Sequence, residues 1–355
     1  MMAKADDPIL EPDQFPGAPH PRNQYDFIGH ESGEAAFIES FQVGRLHHAW
    51  LIGGMQGIGK ATLAYRVARY LLAYGATPPQ TGQGLYVPPT HIVSRQIEAF
   101  SQPNLTVLRR SYSAERKTIP SIISVDAARK AMSLFETTSA DGGYRVCIVD
   151  SADDLNNSSA NALLKLIEEP PPLSIFLIVS HSPQRLLPTI RSRCRKLTLS
   201  PLSAGQIKQV ISGIGEPFAS APSTLMDQAI AYSEGSVRKT LEMLDEKKAA
   251  LIKHVQSVLH ELPHVDDKRV TMLAESLAHK DAVNDFDLAM ECVDHWISAK
   301  LHSESSGNIS SLAQLVEVCE KLHKMVRETD VYNLDRRPLV LWLFDELSQV
   351  LRAHQ

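Results

Sequence analysis

The stretch His48-Ala-Trp-Leu-Ile-Gly-Gly-Met-Gln-Gly-Ile-Gly-Lys-Ala-Thr62 constrains the fold more than any other part of the chain. Ala49 to Ile52 form an apolar run short enough for a buried strand, which breaks into Gly53-Gly54. Leu63, Val67, Tyr70 and Leu71 then recur at helical spacing. Strand, glycine-rich loop, lysine and helix in that order make the layout of a phosphate-binding P-loop. Glycines let the backbone curl so that successive N–H groups point inward, and the helix N-terminus adds partial positive charge at the same spot. The expected nucleotide-binding set is therefore Gly54, Gly57, Ile58, Gly59, Lys60, Ala61 and Thr62, with Lys60 reaching the outer phosphates. A glycine-rich turn without a ligand is the alternative, and the flanking strand and helix count against it.

One position departs from the pattern. The residue after the P-loop lysine is ordinarily Ser or Thr, whose hydroxyl ligates Mg²⁺. Here it is Ala61, and Thr62 comes one place late. A methyl group cannot ligate a metal, so the sequence predicts ATP or ADP held weakly, or a vestigial site.

Downstream, Tyr144-Arg-Val-Cys-Ile-Val-Asp150 is an apolar strand closed by a carboxylate. That is the Walker-B arrangement, in which the aspartate holds Mg²⁺. Asp150 alone could equally cap a turn, but a P-loop upstream favours the metal-site reading. Hydrolysing enzymes of this layout follow the aspartate with Glu to activate water, whereas this chain has Ser151. Asp153 and Asp154 lie at the wrong offset to replace it. General-base assistance contributes about 10²–10⁴ in rate, so its loss together with the metal hydroxyl predicts hydrolysis near zero.

Further apolar strands (Leu105 to Leu108, Ser174 to Val179, Arg195 to Leu199) alternate with amphipathic helices, of which Ser158 to Glu168 is the clearest. The pattern predicts an α/β domain with a parallel sheet covered on both faces. Beyond Pro201 only helical patterns remain, including one read as continuous over Ser236 to Leu251. At 355 residues the chain has room for two or three domains. The expected division is a flexible proline-bearing tail over 1–22, a nucleotide domain over 23–200 with a Pro/Gly-rich surface insertion at 75–104, a helical lid over 201–258 and a helical collar over 259–355.

The net charge of −5 provides no global basic field, so contact with DNA would have to be local or through other subunits. Cys147, Cys194, Cys292 and Cys319 form no CxxC pair, which argues against zinc and disulfides and fits a reducing cytoplasm. No apolar stretch approaches the length of a membrane span.

Asn161-Ala-Leu-Leu-Lys-Leu-Ile-Glu-Glu-Pro-Pro171, Phe176-Leu-Ile-Val-Ser180 and Ser192-Arg-Cys194 resemble the bacterial DNA polymerase III clamp-loader subunits of the AAA+ superfamily. The resemblance extends back to His47-His-Ala-Trp50 and on through Gly235-Ser-Val-Arg238 to Asn333-Leu-Asp-Arg336. It implies a RecA-like AAA+ domain, a lid and a ring-forming collar. It also implies gamma/tau and delta subunits as partners, with the sliding clamp and primer–template DNA reached through the complex. The departures at Ala61 and Ser151, and the missing cysteine cluster after the P-loop helix, select a non-hydrolysing member of that set over the ATP-hydrolysing gamma/tau motor, which stands as the alternative. A small-molecule kinase would share the P-loop but would leave Ser-Arg-Cys and the helical domains unexplained.

The resemblance further implies that Arg193 is an arginine finger offered across an interface to a neighbour's ATP. A planar, permanent guanidinium suits phosphate oxygens better than an ammonium does. Without the resemblance, Arg191, Arg193 and Arg195 would read as a solvated basic edge. Arg238 matches the sensor-2 position, although a helix-start arginine is more often simply exposed. Ser180 or His181 lies near the sensor-1 position.

Overall fold

The computed structural model describes residues 11–75, 84–112, 119–135, 142–279, 282–303, 309–332 and 334–352. The chain divides into two compact units, Met1–Leu241 and Glu242–Gln355.

In the first unit α1 (Glu31–Gln42) leads into β1 (Ala49–Gly53), which runs through the glycine loop into α2 (Lys60–Tyr74). There follow α3 (Ile92–Glu98), β2 (Leu105–Leu108), α4 (Val125–Met132), β3 (Arg145–Val149), α5 (Asn157–Glu168), β4 (Ser174–Ser180), α6 (Pro188–Ser192) and β5 (Arg195–Thr198). The strands form one parallel sheet in the order β2-β3-β4-β1-β5. β1, β3 and β4 are buried along their whole length, which is why they read as unbroken apolar runs.

Trp50, Ile52, Ile148 and Leu177 pack on one face with Phe37 of α1, Leu63 and Val67 of α2, and Val93 and Ile97 of α3. Leu51, Val149, Phe176 and Ile178 pack on the other with Ala128 of α4, Leu163 and Ile167 of α5, and Ile190 of α6. Capping sets the helix starts: the Ser124 hydroxyl accepts the Ala127 amide at 3.2 Å, and Asn156 accepts the Ser159 amide at 2.8 Å. Pro170-Pro-Pro172 stops α5, because proline has no N–H to continue a helix. α7 (Ala204–Ile214), α8 (Ser223–Ser233) and the start of α9 (Val237–Leu244) complete the unit.

The second unit is helical throughout its described residues: α10 (Glu246–His260), α11 (Asp267–Leu277), α12 (Val283–Ser303), α13 (Ile309–Tyr332) and α14 (Arg337–Arg352). Its core holds Val258, Leu273, Phe286, Val293, Leu322 and Leu343. The helix expected over Ser236 to Leu251 is two helices. Asp245 between them has extended backbone and accepts the Lys247 and Lys248 amides at 3.0 and 3.2 Å, the work of an N-cap. The boundary between the units falls inside α9, ahead of the 258 boundary expected from the sequence.

Two expectations are corrected here. Residues 11–22 were expected to be a flexible tail and are instead fastened to the first unit; residues 1–10 lie outside the described residues. Arg22 grips Glu11 with two hydrogen bonds of 2.6 Å and donates to the Glu98 carbonyl at 3.1 Å. Arg109 pairs with both Glu11 and Asp13, and His20 is buried against Asp13 at 2.9 Å. Half-buried charges stay ordered when every one of them has a partner of opposite sign. Residues 84–104 likewise do more than decorate a surface, since Leu85, Val87, Val93 and Ile97 join the core; residues 76–83 lie outside the described residues. No helix among the described residues is long and apolar enough to cross a membrane.

Candidate nucleotide-binding site

β1 and β4 are neighbours, and Gly53 pairs in register with Ser180. The chain leaves β1 toward β2 on one side of the sheet and leaves β4 toward β5 on the other. The glycine loop thus opens at a switch point on the carboxyl edge, where parallel sheets bind ligands. Asp150 follows β3, the strand on the far side of β4. Gly54, Gly57, Ile58, Gly59 and Lys60 share this place with Asp150, Ser180, His181 and the start of α9.

Two glycines are required by their surroundings. Gly54 has φ +140°, and a Cβ there would lie 2.6 Å from the Leu199 carbonyl oxygen. Gly57 has φ +76°, and a Cβ there would lie 2.4 Å from Cβ of Arg238. The second close approach exists because α9 begins on the loop. The Val237 amide donates to the Gly57 carbonyl at 3.0 Å, and the Ser236 hydroxyl donates to the Gln56 carbonyl at 2.8 Å. From the side of α1, buried His30 holds Ile58 through Nε2–H to its carbonyl at 2.6 Å. Sequence reasoning missed His30, and no spacing rule would have singled it out.

Lys60 opens α2 and is buried. Its ammonium donates to the loop's own carbonyls, Gly54 at 2.7 Å and Met55 at 2.6 Å. Burial pulls its pKa down to about 8, with Asp150 and Asp153 opposing the shift. Two of the three donors that would meet phosphate are therefore committed to the loop. Thr62 does not restore the missing hydroxyl. Each residue along a helix turns by about 100°, so Thr62 faces well away from the direction of Ala61.

Asp150 is half-buried, and its buried Oδ2 has no hydrogen-bond partner among the described residues. Burial, with Asp13 and Asp154 nearby, pushes its pKa up to about 7 against the pull of Lys60 and Arg109. Because this folded-state value is raised, the associated stability is present in full below the unfolded value. It is lost as pH rises through about 7. Asp150→Asn is expected to leave melting unchanged near pH 4 and to stabilise the protein at pH 8 by up to about 4 kcal/mol. Melting temperatures of the two proteins measured across that range would show the widening gap.

Asp153 is engaged on both carboxylate oxygens. Oδ2 accepts from the Ser151 hydroxyl at 2.7 Å and the His181 amide at 2.8 Å. Oδ1 accepts from the Ser182 amide at 2.9 Å and the Ser180 hydroxyl at 3.1 Å. Burial alone would raise its pKa, but the bonds from Ser151, His181 and Ser182 outweigh it and hold the carboxyl below its ordinary value. His181 is itself pushed down to about 4 by burial and by Lys60, so it is a neutral imidazole.

Arg193 lies elsewhere. It caps α6 two residues before β5 begins, and Arg195 pairs with Trp50 of β1 three residues ahead of Gly53. At ~3.3 Å per residue, about 10 Å of strand separates that level from the glycine loop. Arg193 is thus at the amino edge of the sheet, opposite the P-loop. The residue is exposed, with Nη2 2.9 Å from Glu168 and Nη1 donating to the Thr189 carbonyl at 3.1 Å. Arg195, by contrast, stacks over Trp50 and donates to Ser40 at 2.9 Å. Arg238 is half-buried beside the P-loop.

Residues 29–203 match the model of the family described as DNA polymerase III, delta subunit. The chain is 29% identical over 311 residues to DNA polymerase III subunit tau of Escherichia coli strain K12, covering 86% of this chain and 44% of that protein. It is 35% identical over 165 residues to subunit delta' of the same organism, covering 46% of each. It is 30% identical over 222 residues to subunit delta' of Pseudomonas aeruginosa, covering 60% of this chain and 61% of that protein. The chain thus spans about half the length of the curated relatives it matches.

Proposed function

We propose that the chain is an AAA+ subunit of the DNA polymerase III clamp-loader family and that it serves there as the delta prime subunit. In this reading it hydrolyses no ATP of its own and lends Arg193 to the ATP site of an adjacent gamma/tau subunit. The complex it joins would contain gamma/tau and delta and would load the sliding clamp onto primer–template DNA in the cytoplasm. The nucleotide domain, the lid over 201–258 and the collar over 259–355 would be its working parts.

The observation that carries the reading is a division between the two edges of one sheet. On the carboxyl edge, Ala61 and Ser151 stand where a metal-binding hydroxyl and a water-activating carboxylate would be needed. On the amino edge, Arg193 is exposed and too far round the sheet to reach its own P-loop. A bound nucleotide would rest on the loop amides from Gly54 to Lys60, with Arg238 alongside. Its metal would find Asp150 but no hydroxyl at 61.

The rival reading is an ATP-hydrolysing gamma/tau-like motor, and the longer match to tau favours it. It needs Asp153 as a base, yet all the lone pairs this carboxylate directs inward are already accepting hydrogen bonds. A general base works best with a pKa near the working pH, and Asp153 has been moved the other way.

Nucleotide binding and turnover by the purified chain, with and without Mg²⁺, separate the two. The expected result is weak binding that Mg²⁺ does not strengthen, and ATP turnover at background. Tight Mg²⁺-dependent binding with steady turnover would overturn the proposal.

A further inference from the structure

α12 and α13 of the second unit pack against each other and bring three different metal-ligand chemistries to one point. Cys319 and His323 are four residues apart on α13, hence one turn apart on the same face. Asp294 comes from the middle of α12. His323 Nε2 is 2.6 Å from Asp294 Oδ2, while Cys319 Sγ is 3.7 Å from Asp294 Oδ1 and 3.8 Å from His323 Nδ1. One ligand atom from each residue lies within 4.8 Å of the other two.

We infer that Asp294, Cys319 and His323 form a zinc site in the helical unit, with water as the fourth ligand. Tetrahedral zinc with bonds of 2.0–2.3 Å needs ligand atoms about 3.5 Å apart, so the thiol separations already suit it and only the imidazole must turn. A thiolate, an imidazole and a carboxylate together favour zinc over magnesium or calcium, which take all-oxygen shells. The charges also balance: Zn²⁺ with a thiolate and a carboxylate is neutral.

The environment of His323 is that of a place for a cation. Its Nε2 faces the Asp294 carboxylate and its Nδ1 faces the Cys319 sulfur, so the imidazole sits between two groups that can carry negative charge. A metal ion bound here takes the place of the thiol proton, so binding releases protons. All three residues are half-buried, open enough for an ion to enter and enclosed enough to hold it.

The expectation of no zinc rested on the lack of a CxxC pair, a rule that sees ligands close in sequence. Here the carboxylate is 25 residues from the cysteine and meets it through helix packing. The other group of metal-ligand type, Glu11, Asp13 and His20, is weaker on chemistry, because Arg22 and Arg109 already neutralise its carboxylates.

The test uses the full chain, demetallated and then dialysed against zinc or cobalt. One metal per chain, a thiolate-to-cobalt charge-transfer band and proton release on zinc addition are expected. Cys319→Ser and His323→Gln should each weaken zinc binding at least tenfold and remove the band, with circular dichroism unchanged. No stoichiometric uptake would mean that Asp294 and His323 form only an ion pair between helices, and would overturn the inference. Uptake undiminished in both variants would assign the metal to other residues and overturn it equally.

Discussion

In a loader reconstituted with Arg193→Ala, ATP turnover is expected to fall by about 10³–10⁵ at the site this subunit faces, while the complex still assembles. That range equals about 4–7 kcal/mol of transition-state stabilisation, far more than Arg193 contributes to its own fold. Its ion pair with Glu168 joins two side chains that are each 40% exposed, a setting where such pairs contribute about 0–1 kcal/mol. Releasing the guanidinium to a phosphate therefore costs little, and Glu168→Gln is expected to change turnover only slightly. Arg193→Lys should fail to rescue, because an ammonium cannot offer two parallel N–H donors. Arg195→Ala is the matched control: this guanidinium is already spent on Trp50 and Ser40, so its loss should loosen packing and leave turnover intact. Single-turnover hydrolysis, with gel filtration to verify assembly, reads all four variants. Unchanged turnover in Arg193→Ala would return Arg191, Arg193 and Arg195 to the status of a solvated edge.

The parts of this protein that rest on local pattern were readable from the sequence. Unbroken apolar runs announced β1, β3 and β4, and glycines followed by lysine announced the loop between β1 and α2. Ala61 and Ser151 were visible as departures for the same reason, since each breaks a short motif. What escaped was set by partners distant in the chain. Proline and mixed charge made residues 11–22 look unattached. What fastens them is Arg109 reaching Glu11 and Asp13, and Arg22 reaching Glu98. The engagement of Lys60 with Gly54 and Met55 follows from how tightly the loop closes, which glycine spacing does not encode. Asp245 shows a further limit: apolar periodicity continued across it, but its side chain satisfies amides of a new helix better than it sits inside an old one. The sequence also left Asp153 as a carboxylate at the wrong offset for catalysis. Its four donors explain what it does there instead.

Those four donors set the second large effect. Asp153→Ala is expected to destabilise the first unit by about 3–5 kcal/mol, because it strands the Ser151 and Ser180 hydroxyls and the His181 and Ser182 amides. At ~2–4 °C per kcal/mol, the melting temperature should drop by about 10 °C. Asp153→Asn keeps the shape but turns one acceptor into a donor facing donors, so it should fall between wild type and alanine. The pH dependence follows from the depressed pKa of Asp153. A carboxyl lowered in the folded state contributes its stability above the unfolded value, about 3.9, and loses it as pH falls through the folded one. The gap between wild type and Asp153→Ala should accordingly be full at pH 7 and shrink below about pH 4. The motor reading predicts a different pattern, in which removal of a catalytic base ends the chain's own turnover and leaves melting nearly unchanged. A large stability loss in a chain with no turnover to lose would identify Asp153 as the clamp that ties the turn after β3 to the end of β4. The residue that the motor reading requires as base would then be the one that fixes the geometry of a site without one.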